Sequence, residues 1–151
     1  MTSQQYCTFL LDGWLFGVPV PQVQEVIRFQ PMTSIPLAPD AVEGLINLRG
    51  QIVVAIDLRR RLGLENRADG KLPMNVVVRT ADGVVSLLTD EIGDVIEVAE
   101  SSFEPAPETM RGTIRLMIRG VHKLEGKLLH LLDTDQACQV PVLAPSPTDA
   151  R

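Results

Sequence analysis

The chain repeats itself. Phe16-Gly17-Val18 and Val23-Gln24-Glu25-Val26-Ile27 share their apolar pattern with Val85-Ser86-Leu87 and Ile92-Gly93-Asp94-Val95-Ile96, with an acid at the same place, Glu25 against Asp94. Further on, Gly50-Gln51-Ile52-Val53-Val54-Ala55-Ile56-Asp57-Leu58 resembles Gly126-Lys127-Leu128-Leu129-His130-Leu131-Leu132-Asp133-Thr134. Each copy of this second echo is a glycine, a buried strand, and an Asp suited to capping a short helix. Both echoes run in the same order, half a chain apart. A chain of 151 residues built this way predicts two similar small barrels of about 70 residues, roughly first half and second half. Each would be marginal alone, so they should share a hydrophobic interface.

The local pattern agrees. Tyr6–Leu11, Leu15–Val20, Ile52–Ile56, Asn75–Arg79, Val84–Leu88, Val95–Val98, Ile114–Ile118 and Lys127–Leu132 read as strands. Asp12-Gly13, Asp69-Gly70 and Asp82-Gly83 read as turns, because glycine tolerates positive φ. The expected fold class is therefore mainly β, barrel or sandwich, with few short helices. Asp40 could cap a turn at Ala41–Gly44, with Glu43 in capping-box register. Asp57 could cap Leu58–Leu62, ended by Gly63; Arg59, Arg60 and Arg61 would then face water. After Val140 come Pro141, Pro145 and Pro147, so residues 141–151 are expected to form a disordered tail.

Several function classes are disfavoured. A net charge of −5 argues against nucleic acid and anionic membrane as main partners. The first residues carry neither a basic nor an apolar leader pattern, and no run approaches the roughly 18 apolar residues of a membrane helix. Cys7 and Cys138 are too far apart for a disulfide framework or zinc site and read as reduced, partly buried thiols of a cytoplasmic protein. Phosphate-binding glycine loops and the G-x-S-x-G elbow are absent. His130, inside an apolar strand, reads as structural, and His122 as solvated in a polar turn. Asp90, Glu91, Asp94, Glu97, Glu100, Glu104 and Glu108 form a stretch without basic residues. An acid pair or a divalent-metal site can be drawn there, but no nucleophile or histidine accompanies it. It reads as a solvated face that could steer a basic partner. No cofactor and no catalysis are expected.

In the first half, Glu25 is polar among apolar neighbours and Arg49 sits at a tight reversal before Gly50, the only cation between Arg28 and Arg59. A guanidinium there can fork onto a carboxylate, with Glu25 the candidate partner. A surface ion pair without function, worth about 0–1 kcal/mol, is an equal alternative on these grounds.

The pattern Phe16-Gly17-Val18-Pro19-Val20…Val23-Gln24-Glu25-Val26, then Gly44-Leu45-Ile46-Asn47-Leu48-Arg49-Gly50…Ile56-Asp57-Leu58-Arg59, then Thr89-Asp90-Glu91-Ile92-Gly93-Asp94-Val95-Ile96, resembles the CheW-type chemotaxis coupling proteins over residues 5–138. The G-x-x-N-L-R-G-x-x-x-x-x-x-D-L-R string is the specific part. The resemblance implies two intertwined SH3-like five-stranded β barrels and no catalysis. It implies an adaptor bridging the cytoplasmic tip of a methyl-accepting chemoreceptor to the regulatory domain of a CheA-type histidine kinase. The protein would be cytoplasmic, associated with receptor arrays at the inner membrane. Glu25 and Arg49 then belong to the receptor-facing region, flanked by Val23, Val26, Asn47 and Leu48. Gly44 lies in the segment supporting a kinase-facing surface, and Pro107, Glu108 and Thr109 lie at a second kinase edge. A parallel chemosensory circuit (type IV pilus, developmental or second-messenger control) is the runner-up, and a small metal-dependent hydrolase a remote third. Trp14 and the arginines at 111, 115 and 119 have no assigned role from sequence.

Overall fold

The computed structural model describes residues 2–139; the 141–151 tail lies outside them. The chain runs β1 (Ser3–Leu11), β2 (Trp14–Pro19), β3 (Val23–Ile27), β4 (Val42–Leu48), β5 (Gln51–Asp57), α1 (Leu58–Arg61), β6 (Met74–Thr80), β7 (Gly83–Thr89), β8 (Glu91–Ala99), β9 (Phe103–Glu104), α2 (Thr113–Met117), β10 (Ile118–Leu124), β11 (Lys127–Leu132) and α3 (Thr134–Cys138). It is mainly β, in two sheets. The five-stranded sheet has the order β3-β6-β7-β5-β4, and the six-stranded one β8-β1-β2-β11-β10-β9, its sixth strand only two residues long. The sheets do not divide the chain at its middle. The N-terminal hairpin joins the last four strands, and β3 to β7 build the other sheet in between.

The sequence echo is a structural one, in register. β2 lies parallel to β11 with Phe16 opposite His130 and Gly17 opposite Leu131. β7 lies parallel to β5 with the echoing residues opposed in the same way, Val85 to Val54 and Ser86 to Ala55. β3 pairs with β6 through Val23–Val78 and Val26–Val76; β8 pairs with β1 through Ile92–Phe9 and Val95–Cys7. Both pairings carry a register shift at the equivalent point.

Period-two alternation explains why the inner strands read as nearly unbroken apolar runs. Successive side chains point to opposite faces, and here both faces are buried. Val76 and Val78 of β6, with Ile56 and Leu87, face a layer shared with Phe9, Leu11, Phe16, Val18 and Leu132 of the other sheet. Val77 between them faces the opposite way, into a cluster private to the five-stranded sheet with Ile46, Leu48, Val53, Ala55 and Leu88. Leu129 and Leu131 do the same in the six-stranded sheet with Tyr6 and Val98.

Gly44 and Gly120 reveal a third echo. In one half Thr33 bridges to Leu45 of β4; in the other β9 pairs with β10. A Cβ on Gly44 would lie 2.6 Å from the Thr33 carbonyl oxygen, and one on Gly120 2.6 Å from that of Glu104. Each glycine lets a returning segment close onto its strand.

Several expectations are corrected. Ala41–Gly44 is not a capped helical turn: Val42 begins β4, because Val42 through Leu48 find a full ladder on β5, and tertiary pairing overrides the local capping signal. Ile114–Ile118 is not a strand. Thr113–Met117 is helical after Gly112 at φ +81, which sets Ile114 and Met117, three residues apart, against the shared core. The adjacent β10 and the short β3 were not assigned from sequence. The arginine triplet does not simply face water. Asp57 caps α1 as expected, accepting from the Arg59 amide at 3.0 Å. Arg59 then forks onto Asp90, Nε to Oδ1 at 2.8 Å and Nη2 to Oδ2 at 2.6 Å, and Arg61 donates to the carbonyls of Gln136, Ala137 and Gln139 at the end of α3.

Asp90 is the single residue between β7 of one sheet and β8 of the other. Besides Arg59 it accepts from Arg67 Nε at 3.0 Å and from the Asp12 amide of the β1–β2 turn at 2.8 Å. The junction thus fixes how the sheets meet. It also removes Asp90 from the solvated acidic face read in the sequence. Burial alone would raise its pKa, but the hydrogen bonds from Arg59, Asp12 and Arg67 outweigh that and hold it at about 2, against 3.8 ordinarily. A depressed carboxylate stabilises the fold above its unfolded pKa, and the contribution disappears as pH falls from about 4 towards 2. Asp90→Asn is expected to cost about 1–2.5 kcal/mol at pH 7, read from urea midpoints, with the gap to the unaltered chain narrowing below pH about 4. Gly120→Ala is expected to cost about 1–3 kcal/mol by the same measurement, since both the Phe103 ring and the Glu104 carbonyl must give way.

Candidate functional site

The β4–β5 hairpin turns on two residues with positive φ, Arg49 at +51 and Gly50 at +90. This is the geometry that two-residue hairpins favour. Glycine takes it freely, whereas for arginine it costs on the order of 1 kcal/mol. Asn47 supports the turn, its Oδ1 accepting from the Gly50 amide at 2.8 Å. The Arg49 side chain, 72% exposed, is thereby held at the tip of a rigid turn, where it donates to the carboxylate of Glu25 on β3.

Sheet order gives this ion pair its structural meaning. β3 and β4 are the two edges of the five-stranded sheet, so Glu25 and the Arg49 turn join edges that share no ladder. The hydrogen bond from Arg49 lowers the Glu25 pKa, against a smaller opposing effect of burial. Glu25 therefore stays ionised, and its negative charge stays beside the exposed guanidinium.

The other candidate residues divide between surface and core. Val26 and Asn47 are exposed. Val23 packs partly buried against the shared core, and Leu48 lies inside the five-stranded sheet's cluster. Gly44 is buried under Thr33. Ile52, 60% exposed and opposite Asn47 in the hairpin register, adds an apolar side chain that the sequence reading missed. Its strand looked uniformly buried, and only the turn position shows that β5 begins in solvent.

In the second candidate region, Glu108 and Thr109 are exposed and Pro107 half-buried, in the segment between β9 and α2. Arg115, without a role from sequence, organises that segment by donating to the carbonyls of Pro107 at 3.2 Å and Met110 at 3.3 Å. Trp14 is partly exposed, its ring 5.0 Å from that of His130, whose Nδ1 lies 2.8 Å from the Leu15 carbonyl oxygen. His122, expected in solvent, is instead buried on β10 beside Tyr6 and Phe103. Cys7 and Cys138 are both unpaired, and burial pushes the Cys138 thiol up to about 12. No three His, Cys, Asp or Glu residues are grouped to hold a metal among the described residues.

The model of the CheW-like domain matches residues 5–141. The chain belongs to the CheW-like family. It is 31% identical over 134 residues to the chemotaxis protein CheW of Bacillus subtilis, covering 89% of this chain and 86% of that one. It is 32% identical over 133 residues to CheW of Rhizobium meliloti, covering 88% and 86%. The crystal structure of the scaffolding protein TtCheW from Thermoanaerobacter tengcongensis superimposes with a TM-score of 0.83 at 29% identity, covering 93% of this chain and 95% of that one. PilI of Pseudomonas aeruginosa is a more distant relative, 26% identical over 117 residues, covering 78% of this chain and 66% of PilI. The relatives named CheW are chemotaxis proteins and the solved one is a scaffold, so the family is one of adaptors. No helix among the described residues is long and apolar enough to cross a membrane.

Within the family signature, the structure separates two kinds of residue. Asp57, Leu58 and Arg59 serve the fold: a helix cap, a fully buried side chain and the fork onto Asp90. Arg49, by contrast, is strained and exposed. In the unaltered protein the Glu25 carboxyl is expected to titrate below its ordinary 4.5, and in Arg49→Ala to move back up, as followed by carbon-detected NMR of the side chain.

Proposed function

We propose that the protein is a non-catalytic adaptor. It would couple the cytoplasmic tip of a methyl-accepting chemoreceptor to the regulatory domain of a CheA-type histidine kinase, in the cytoplasm beside the inner membrane. The observation that carries the receptor half of this reading is the Glu25–Arg49 pair on its strained turn, next to Val26, Asn47 and Ile52. A receptor tip is a helical hairpin. An aliphatic surface with one fixed ion pair suits a helix face, the apolar side chains supplying contact area and the charges setting register. Val23 and Leu48 would act from behind, as packing under that surface.

The kinase half rests on family membership and on two regions, the strand held over Gly44 and the segment at Pro107, Glu108 and Thr109. Gly44 can contribute only through the close approach of Thr33, so a side chain there should disturb the surface rather than remove a contact. In the family resemblance the kinase regulatory domain has the same double-barrel fold, and barrel would pack on barrel.

Calorimetry with a receptor tip fragment and with the kinase regulatory domain tests the reading. Arg49→Glu is expected to weaken receptor binding by about tenfold or more, because it sets two acids against each other at the surface, while kinase binding changes by less than about threefold. The exchange Glu25→Arg with Arg49→Glu should restore the pair but not the full receptor affinity, since the partner meets the charges in reversed order. Equal loss of both partners in a folded Arg49→Glu variant overturns the assignment; no binding of either partner by the unaltered chain overturns the adaptor.

The similarity to PilI supports a second circuit for the same chemistry, a chemosensory pathway of the type IV pilus kind. The relatives named for chemotaxis are closer in sequence and more fully covered, and chemotaxis is the reading we adopt.

A further inference from the structure

Both sheets open a cavity at the matching place, with Phe29, Met32 and Glu43 in one where Glu100, Phe103 and Arg119 stand in the other, but they differ at one buried strand residue. By the repeat that aligns Gly44 with Gly120, the counterpart of His122 is Ile46. Ile46 is buried in an aliphatic cluster closed by Ile27, Met32 and Val84. At His122 the packing is incomplete: a cavity of about 480 Å³ opens, with the ring in its wall. That volume is of the size that holds small molecules, about 300–1,000 Å³.

Its polar atoms are specific. Ser102 Oγ donates its one proton to the Ala99 carbonyl at 2.9 Å and lies 2.7 Å from His122 Nδ1. That bond must therefore run from Nδ1–H to Oγ, which leaves Nε2 of the neutral ring as a bare acceptor. His122 is only 2% exposed, yet Nε2 has no hydrogen-bond partner among the described residues. Thr89 Oγ1 is the one enclosed side-chain atom lacking a partner among the described residues, so Nε2 reaches the open space of the cavity. The ring stands between aromatic neighbours, with Tyr6 at 5.7 Å and Phe103, half-exposed, at 5.8 Å in an edge-on arrangement. The aliphatic side chains of Leu131 and Leu132 complete the apolar wall. At the mouth are one cation, Arg119, and one anion, Glu100, which make no ion pair with each other. Both act electrostatically on the Tyr6 phenol, in opposite senses.

We infer that this cavity is a binding site for a small aromatic zwitterion whose ring carries a hydrogen-bond donor, an aromatic amino acid of the tryptophan or tyrosine kind. The ring fills the space beside Tyr6 and Phe103 and donates to His122 Nε2. The carboxylate meets Arg119 and the ammonium meets Glu100. Each of the unpartnered groups is matched at once, which neither a plain hydrocarbon nor a simple anion achieves. The site does not involve Glu25 or Arg49 and does not depend on the adaptor reading.

The test is a titration of the full-length chain with L-tryptophan, followed by NMR shifts of Tyr6, Phe103 and His122. L-phenylalanine, which has no ring donor, and tryptamine, which has no carboxylate, are run in parallel. Saturable shifts with a Kd on the order of 1 mM or tighter are expected for tryptophan, and binding about tenfold weaker for each comparison compound. Arg119→Ala, at an exposed position, should weaken tryptophan about tenfold and leave tryptamine unchanged. His122→Phe should remove the preference for tryptophan over phenylalanine; should that variant fail to fold, the phenylalanine comparison on the unaltered chain tests the same hydrogen bond. Equal affinity for all three compounds, indifference to Arg119→Ala, or no saturable shift up to about 10 mM each overturns the site.

Discussion

The apolar layer between the two sheets is the constraint on which the rest depends. Neither sheet of this chain can bury its strands alone, because the inner strands are apolar on both faces. Phe9, Phe16 and Val18 from one sheet meet Ile56, Val76, Val78 and Leu87 from the other. The layer takes apolar side chains from one face each of β1, β2, β5, β6, β7 and β11. Since the first hairpin belongs to the sheet that the last strands complete, the layer cannot form until both ends of the described chain are in place. The two sheets therefore fold as one unit.

Charged groups fix what that layer leaves free. An apolar interface is non-directional and would tolerate rotation of one sheet on the other. The arginines of α1 remove that freedom. Arg59, with Arg67, gathers Asp90 and so fastens the crossing from one sheet to the next, and Arg61 takes the carbonyls at the end of α3. The bonds among Arg59, Arg67 and Asp90 are made where side chains are largely removed from water, so they hold geometry better than exposed pairs do. Glu25 and Arg49 are of the other kind. Their bond joins two sheet edges, but its guanidinium remains mostly in solvent at a strained backbone position, so it adds little to stability.

Pseudo-symmetry also shows where the halves have diverged. Gly44 and Gly120 do the same work in both, and so do the capping aspartates Asp57 and Asp133. At Ile46 and His122, however, one sheet buries an aliphatic side chain in its cluster and the other sets an unsatisfied nitrogen in the wall of a cavity. At Arg49 and Glu125, the corresponding hairpin turns carry opposite charges, so the ion pair of one half has no copy in the other. The two halves share their folding devices and differ at their surfaces.

The sequence by itself determined the class of fold, the repeat and the central strands, because period-two patterning, turn glycines and capping aspartates are local signals. It also singled out Glu25 and Arg49, since two charges among aliphatic residues are conspicuous in any strand pattern. What only the tertiary structure decided are the features that depend on partners far along the chain. Val42–Leu48 became a strand because β5 lay beside it, against a local capping signal. Thr113–Met117 became a helix because Ile114 and Met117 could both reach the core. His122 moved from an apparent polar turn into a buried wall because β9 and β10 pair over Gly120. Arg59 left solvent for Asp90, thirty-one positions away. Propensity and spacing describe a residue's neighbours in sequence; burial and pairing describe its neighbours in space, and in a chain whose first hairpin packs with its last strands the two sets differ most.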